Sequence, residues 1–293
     1  MSIRYPRARL LAAAVLFSTG GAAIKSLTLT SWQIAGFRSG IAAIAVWLMV
    51  PAARRSWTWR TLVVGAAYAV TLIMYVVANK LTTAANTIFL QSTAPLYILL
   101  LGPWLLKERF RQRDLGFMAL IGLGLALFFV DQQAPVATAP DPFLGNLVAL
   151  ATGVSWALTV VGLRWLGSRE GTTEGAAAGS VVLGNALAFV LMAPFAFPVG
   201  AYPVEDWLVV IYLGVFQIAL AYVFVTSALR EIPAFEASLI LLVEPALNPL
   251  WAWMVHGETP GVWAITGGVL ILSATVFKTW LDARPRLRMV PIE

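Results

Sequence analysis

In a strongly apolar chain the polar side chains carry the information. Tyr68, Tyr75 and Asn79 recur at helical spacing and share one face with Leu72. Asn86, Thr93 and Tyr97 share a face of the next apolar stretch, with Gln91 on another, while Thr152, Trp156 and Thr159 form a stripe in a later one. Gln217 and Tyr222 follow, then Glu244 and Asn248 one turn apart. In hydrocarbon such groups cost free energy unless they are paired or face a wet cavity. Gathered around one cavity, their rings would take the apolar part of a small solute, while amides and hydroxyls orient its amino and carboxyl groups. Packing is the plainer use of the same rings. Trp57, Trp59, Trp104, Trp207, Trp263 and Trp280 sit near segment ends and read as interface anchors.

Glu244 is the acidic residue nearest a segment centre, beside Pro245. It could bind a substrate ammonium, exchange a coupling proton, or serve as a structural or gating carboxylate satisfied across helices. Pro95 and Pro245 each remove a backbone bond and predict kinks that are either gating bends or permanent ones. Glu108 and Glu258 close equivalent segments and suit capping or gate contacts. Lys25 is expected to snorkel to the outer surface, with contact to a substrate carboxylate as its alternative. Arg38 is expected to pair with a backbone carbonyl or a lipid phosphate, with direct substrate contact as its alternative, and His256 to be interfacial, with pH sensing as its alternative.

Enzymatic chemistry is poorly provided for. The sequence has one His and no Cys, so neither a multi-His nor a thiolate metal centre is available. It also contains no G-x-x-x-x-G-K-[ST] loop and no H-E-x-x-H helix. No cofactor is expected. The net charge of +6 would suggest nucleic acid in a soluble protein, but the distribution of charge points elsewhere.

The 293 residues are 60% hydrophobic and 12% charged, with a mean hydropathy of +0.82. Soluble chains are about a quarter charged, so this composition predicts an all-α integral membrane protein. Windows at 9–28, 31–50, 60–79, 83–106, 114–131, 143–166, 176–198, 206–228, 234–256 and 260–281 predict ten transmembrane helices. The longest polar gap, Asp131 to Pro142, leaves no room for a soluble domain. The first window resembles a signal peptide, but it matches a later span and is expected to be retained.

With the N-terminus placed in the cytoplasm, every Lys and Arg except Lys25, Arg38 and Lys80 falls on the cytoplasmic side or beside it. The positive-inside rule then predicts a multi-pass inner-membrane protein with both termini cytoplasmic. Pro245 repeats Pro95, Glu258 repeats Glu108 and Arg230 repeats Lys80 at one common offset. Other matches follow at slowly drifting offsets. Two repeats of five spans, 1–138 and 139–293, would enter the membrane from opposite faces and enclose a central cavity, a construction common in secondary transporters.

The mid-helix Pro95 with Glu108, repeated as Glu244-Pro245 with Gly257-Glu258, resembles the drug/metabolite transporter superfamily in its ten-span, EamA-type branch. The likeness covers about 9–281. More narrowly, the chain resembles the YddG-type exporters of aromatic and other amino acids, by overall likeness alone. Ala94 stands where the second repeat has Glu244, so the Glu-Pro pair is not a symmetric two-carboxylate site. The resemblance implies a cavity bounded by helices 1, 3, 4, 6, 8 and 9 and exposed to one side at a time. It also implies export of amino acids, aromatic and other neutral ones, with membrane lipids as surroundings and no nucleic acid partner. Other metabolites, purines or drug-like compounds are the alternatives within transport, and a lipid-handling membrane protein or enzyme is the alternative outside it. Gly116, Gly122 and Gly124, with Gly261, Gly267 and Gly268, allow either internal packing or dimer contact, so monomer and homodimer both stay open.

Overall fold

The computed structural model describes residues 6–55, 57–105, 112–130, 134–167, 175–228, 231 and 240–283. They form helices and connecting turns, with an isolated bridge between Val136 and Ala139 and no sheet among the described residues. We number the helices α1 (Pro6–Ser18), α2 (Gly20–Ser26), α3 (Ser31–Met49), α4 (Trp59–Leu81), α5 (Ala84–Gln91), α6 (Ala94–Leu105) and α7 (Gln112–Leu127). The second half holds α8 (Pro142–Gly167), α9 (Ala176–Ala196), α10 (Val204–Tyr212), α11 (Ala221–Ala228), α12 (Val243–His256) and α13 (Val262–Ala283). A π-helical segment, Leu213–Leu220, joins α10 to α11.

Eight helical stretches are long and apolar enough to cross a membrane. They include α1 with α2, α5 with α6, and α10 continued through the π segment. The windows at 114–131 and 234–256 correspond to the shorter apolar helix α7 and to α12, which has 14 residues. The protein is therefore an all-helical, multi-pass membrane protein. Its surface agrees: Val190, Phe195, Met254, Val255 and Val262 are all more than 60% exposed. An exposed apolar surface on this scale is tolerable in lipid and a liability in water.

Local chemistry sets the helix ends. Thr30 and Thr58 each cap the following helix through a reciprocal side-chain and backbone exchange, with Gln33 and Thr61 respectively. Thr83 accepts from the Asn86 amide at the start of α5. Pro95 lacks an N–H, and the helix is interrupted at Ser92–Thr93 just before it. A single-residue turn at Leu242 likewise precedes Pro245.

The central packing runs between halves of the chain. α4 lies against α8 and α9, α3 against α9 and the π segment, and α1 against α11 and α12. α5 packs on both α8 and α12, and α7 on α13. Glycine enables the last contact: a Cβ on Gly267 would sit 2.5 Å from the Gly124 carbonyl oxygen. Gly124 and Gly267 therefore serve internal packing. Gly116 and Gly122 meet nothing within 4 Å. Lys278 pairs with Asp114 at 3.0 Å across the same two helices.

Candidate functional site

A cavity of about 210 Å³ lies among the spans. α4 contributes Tyr68, Thr71, Leu72 and Tyr75, and α8 contributes Trp156. Phe17 comes from α1, Arg38 from α3, Gln91 from the end of α5, Gln217 and Ile218 from the π segment, and Tyr222 and Val225 from α11. Leu241 and Glu244 flank the turn that precedes α12. Most of these positions are mid-helix, so the cavity sits within the thickness of the bundle. Its floor is aromatic, with the Tyr68 and Trp156 rings 6.4 Å apart at 48°.

The cavity brings together seven of the residues read as binding groups: Tyr68, Tyr75, Gln91, Trp156, Gln217, Tyr222 and Glu244. The remaining five do not line it. Asn79 is fully buried one turn beyond Tyr75 and donates to the Tyr75 carbonyl at 2.9 Å. Thr93 donates to the Leu90 carbonyl at 2.6 Å, inside the break between α5 and α6. Tyr97 packs over Gly153 of α8. Thr159 donates to the Ser155 carbonyl at 2.9 Å and borders only a minor recess of about 10 Å³. Asn248 lies behind the Tyr75 hydroxyl, 3.4 Å away, and against Gly21, where a Cβ would be 2.7 Å from its Oδ1.

Arg38 also lines the cavity, although its first expected partner is a backbone carbonyl or a lipid phosphate. The signal available was an arginine within an apolar span, and half of its expectation is met. Its Nη2 donates to the Leu72 carbonyl at 2.9 Å, and its guanidinium lies 5.9 Å from the centre of the Tyr75 ring. The π segment has no sequence signature of its own. It turns Gln217 toward α1, where Nε2 reaches the Phe17 carbonyl at 3.5 Å and the side chain covers Gly20. Departures from α geometry into π geometry are frequent at functional sites.

A second polar cluster involves Glu258. Gly257, with φ of 65°, takes the left-handed conformation that ends α12, and its N–H bonds the Trp253 carbonyl at 2.9 Å. This turn delivers Glu258 to Lys25 of α2 at 3.1 Å. The other Glu258 oxygen accepts from the Ala84 amide at the first turn of α5, at 2.9 Å. Lys25 also donates to the Thr82 carbonyl at 2.8 Å and to the Thr138 carbonyl. The expectation that Lys25 snorkels outward is corrected: its side chain is 2% exposed, because a carboxylate and two carbonyls replace water around the ammonium. Beside this cluster, Asn146 accepts from Thr82 and Asn86 and donates to the Phe128 carbonyl. His256 bonds the Ala22 carbonyl at 2.8 Å, tying α12 to α2. Glu108 lies outside the described residues.

No group of three or more metal-ligating side chains occurs among the described residues. The cavity has room for a small solute, and no juxtaposed acid, base and nucleophile occurs in it among the described residues.

The EamA-like transporter family matches residues 9–130 and 143–280. The pseudopaline exporter CntI of Pseudomonas aeruginosa (strain UCBPP-PA14) is 27% identical over 273 residues, covering 90% of this chain and 92% of the exporter. The uncharacterized transporter YyaM of Bacillus subtilis (strain 168) is 25% identical over 206 residues, 68% of this chain and 65% of its own. A solved crystal structure aligns with a TM-score of 0.61 at 21% identity, over 96% of this chain and 98% of its own, a likeness of fold. CntI and YyaM are transporters rather than enzymes. The family match covers most of the chain and its helices are built to span a membrane, so the chain belongs to the EamA-like transporter family and is a multi-pass membrane transporter.

Proposed function

We propose that the protein exports amino acids, aromatic and other neutral ones, across the bacterial inner membrane by alternating access. The observation that carries this reading is the mid-bundle cavity, which combines an aromatic floor with amides, one basic and one acidic side chain. A volume of about 210 Å³ is below the ~300–1,000 Å³ of pockets that hold drug-sized ligands. It favours a small metabolite over a drug-like compound. The named relative exports pseudopaline, and a solute of that kind is the second reading.

The working architecture in this proposal is ten transmembrane helices in two inverted repeats, 1–138 and 139–293, with both termini cytoplasmic. Support comes from the two matched segments, 9–130 and 143–280, and from the helix contacts. Exchange α1–α2 with α8, α3 with α9, α4 with α10–α11, α5–α6 with α12, and α7 with α13. The contact of α4 with α8 becomes that of α11 with α1, and α4 with α9 becomes the π segment with α3. The pairs α3 with α9, α5 with α12 and α7 with α13 map onto themselves. In this scheme the helix interruptions before Pro95 and Pro245 act as bends, and Lys25–Glu258 closes the outer end of the cavity.

The test is flux through purified protein in liposomes, with labelled amino acids, a purine, a nucleotide sugar and a cationic dye, each with and without a pH gradient. Saturable movement of phenylalanine or tryptophan is the expected result. No amino acid flux, with saturable flux of another solute, would discard the substrate.

A further inference from the structure

Four polar groups on the cavity wall are left with unmet bonding capacity. Arg38 is 1% exposed in the middle of α3, and its Nε has no partner. A guanidinium carries five N–H donors, and one donates to the Leu72 carbonyl. No carboxylate lies within ion-pair distance of it among the described residues. Among the described residues, Glu244 is the only acidic one on the same wall, and Arg38 the only basic one. Glu244 has neither a hydrogen-bond donor nor a cation against it among the described residues. Gln91 and Gln217 each present a buried Oε1 with no donor.

These vacancies sort by sign. A donor-only group stands at one place, and three acceptors, one of them a carboxyl group, stand at others around the same space. An uncompensated charge buried in a membrane bundle is expensive, and an ionisable residue kept there calls for a partner. Among the described residues the internal candidates are spent or absent, so the missing partners are best supplied by the cargo.

We propose that the cavity is a bipolar clamp for a solute bearing both a carboxylate and a protonated amine, with the carboxylate held by Arg38 and the amine by Glu244 and the side-chain carbonyls of Gln91 and Gln217. The proposal rests on the transport reading above and deepens it by naming the groups that the cargo must carry. Arg38 supplies the planar fork that matches a carboxylate. The rings of Tyr68 and Trp156 take the remainder of the molecule, which makes the clamp tolerant of side-chain identity and strict about the two charges. A cation without an acid group would leave Arg38 unpaired, and a simple acid would leave Glu244 unpaired.

Proteoliposome uptake of labelled phenylalanine, competed by phenylalaninamide or by 3-phenylpropionate, tests this directly. Wild-type protein should be inhibited by unlabelled phenylalanine and more than about tenfold less well by either analogue. Arg38→Gln should lose phenylalanine uptake, while Arg38→Lys, which keeps the charge, should retain part of it. In Arg38→Gln, phenylalaninamide should become the better-bound ligand, read as ligand-induced thermal stabilisation of the folded protein. Glu244→Gln should shift preference the opposite way, toward 3-phenylpropionate. A purely structural role for Arg38, pinning the Leu72 carbonyl, would change no preference. Equal competition by the amide in wild type, or unchanged preference in both variants, would overturn the clamp and leave amino acid transport standing. Absence of any amino acid uptake by wild type would overturn both, a result distinct from the first.

Discussion

Lys25 and Glu258 form an ion pair at 3.1 Å with side chains only 2% and 3% exposed. They lie far apart in the chain, and their meeting joins α2, the first turn of α5 and the turn after α12. Each charge is further held by backbone, carbonyls for the ammonium and the Ala84 amide for the carboxylate. Breaking a buried pair from one side costs about 3–5 kcal/mol, because the remaining charge keeps its desolvation penalty.

Lys25→Met and Glu258→Gln should therefore each lower the thermal unfolding temperature in detergent, and the double variant should be less damaged than the sum of the two. A double-mutant cycle reads the coupling. Strictly additive losses would show that the two groups are stabilised independently.

The Tyr68–Trp156 floor carries a second expectation. Trp156→Ala and Tyr75→Ala should lower transport of an aromatic amino acid per folded molecule, Trp156→Ala through an apparent affinity reduced about tenfold or more. The amount of monodisperse protein after size-exclusion chromatography should stay close to wild type. Equal transport per folded molecule would remove these residues from the binding site.

Packing between α7 and α13 gives a paired control. Gly267→Ala places a methyl 2.5 Å from the Gly124 carbonyl oxygen and should destabilise the protein, by about 1–3 kcal/mol for an overpacked contact. Gly122→Ala, on the same helix as Gly124 but with nothing within 4 Å, should be neutral or slightly stabilising. Thermal unfolding of the two variants separates the cases, and equal effects would contradict the assignment of the contact.

Pro95 is preceded by the helix interruption at Ser92–Thr93. Pro95→Ala restores an N–H able to bond the Gln91 carbonyl. The variant should hold or gain stability while its turnover falls, if the bend takes part in opening and closing. Unchanged transport would reduce the proline to a fixed feature of the fold.

How far the sequence was readable follows from the length scale of each signal. Spans declare themselves through runs of apolar residues long enough to cross hydrocarbon, and the two prolines announce the interruptions before them. Helical spacing placed Tyr68 and Tyr75 on one face, and both line the cavity. Spacing gives a face but not a depth, so Asn79, on the same stripe, satisfies its own helix beyond the cavity. Partners distant in the chain leave no local trace. Lys25 read alone is a lysine near a span end, and only the turn at Gly257 supplies the carboxylate that keeps it inside. Arg38 was visible as a charge in an apolar span, while its neighbours on the cavity wall come from α1, α4, α5 and α8, which sequence order does not bring together. Within the π segment Gly214 packs closely on α3, where a Cβ would lie 2.8 Å from the Arg38 carbonyl oxygen, and no residue pattern marks the segment.

The central claim is that transported solute passes through the cavity between Arg38 and Glu244. The chain has no cysteine, so a single Leu241→Cys on the cavity wall gives a clean chemical reporter in an otherwise unreactive protein. Alkylation of that thiol in proteoliposomes should be slowed in proportion to occupancy by phenylalanine, with half-protection near the concentration that half-saturates transport. Saturable phenylalanine transport with no protection at any concentration would place the route elsewhere in the molecule.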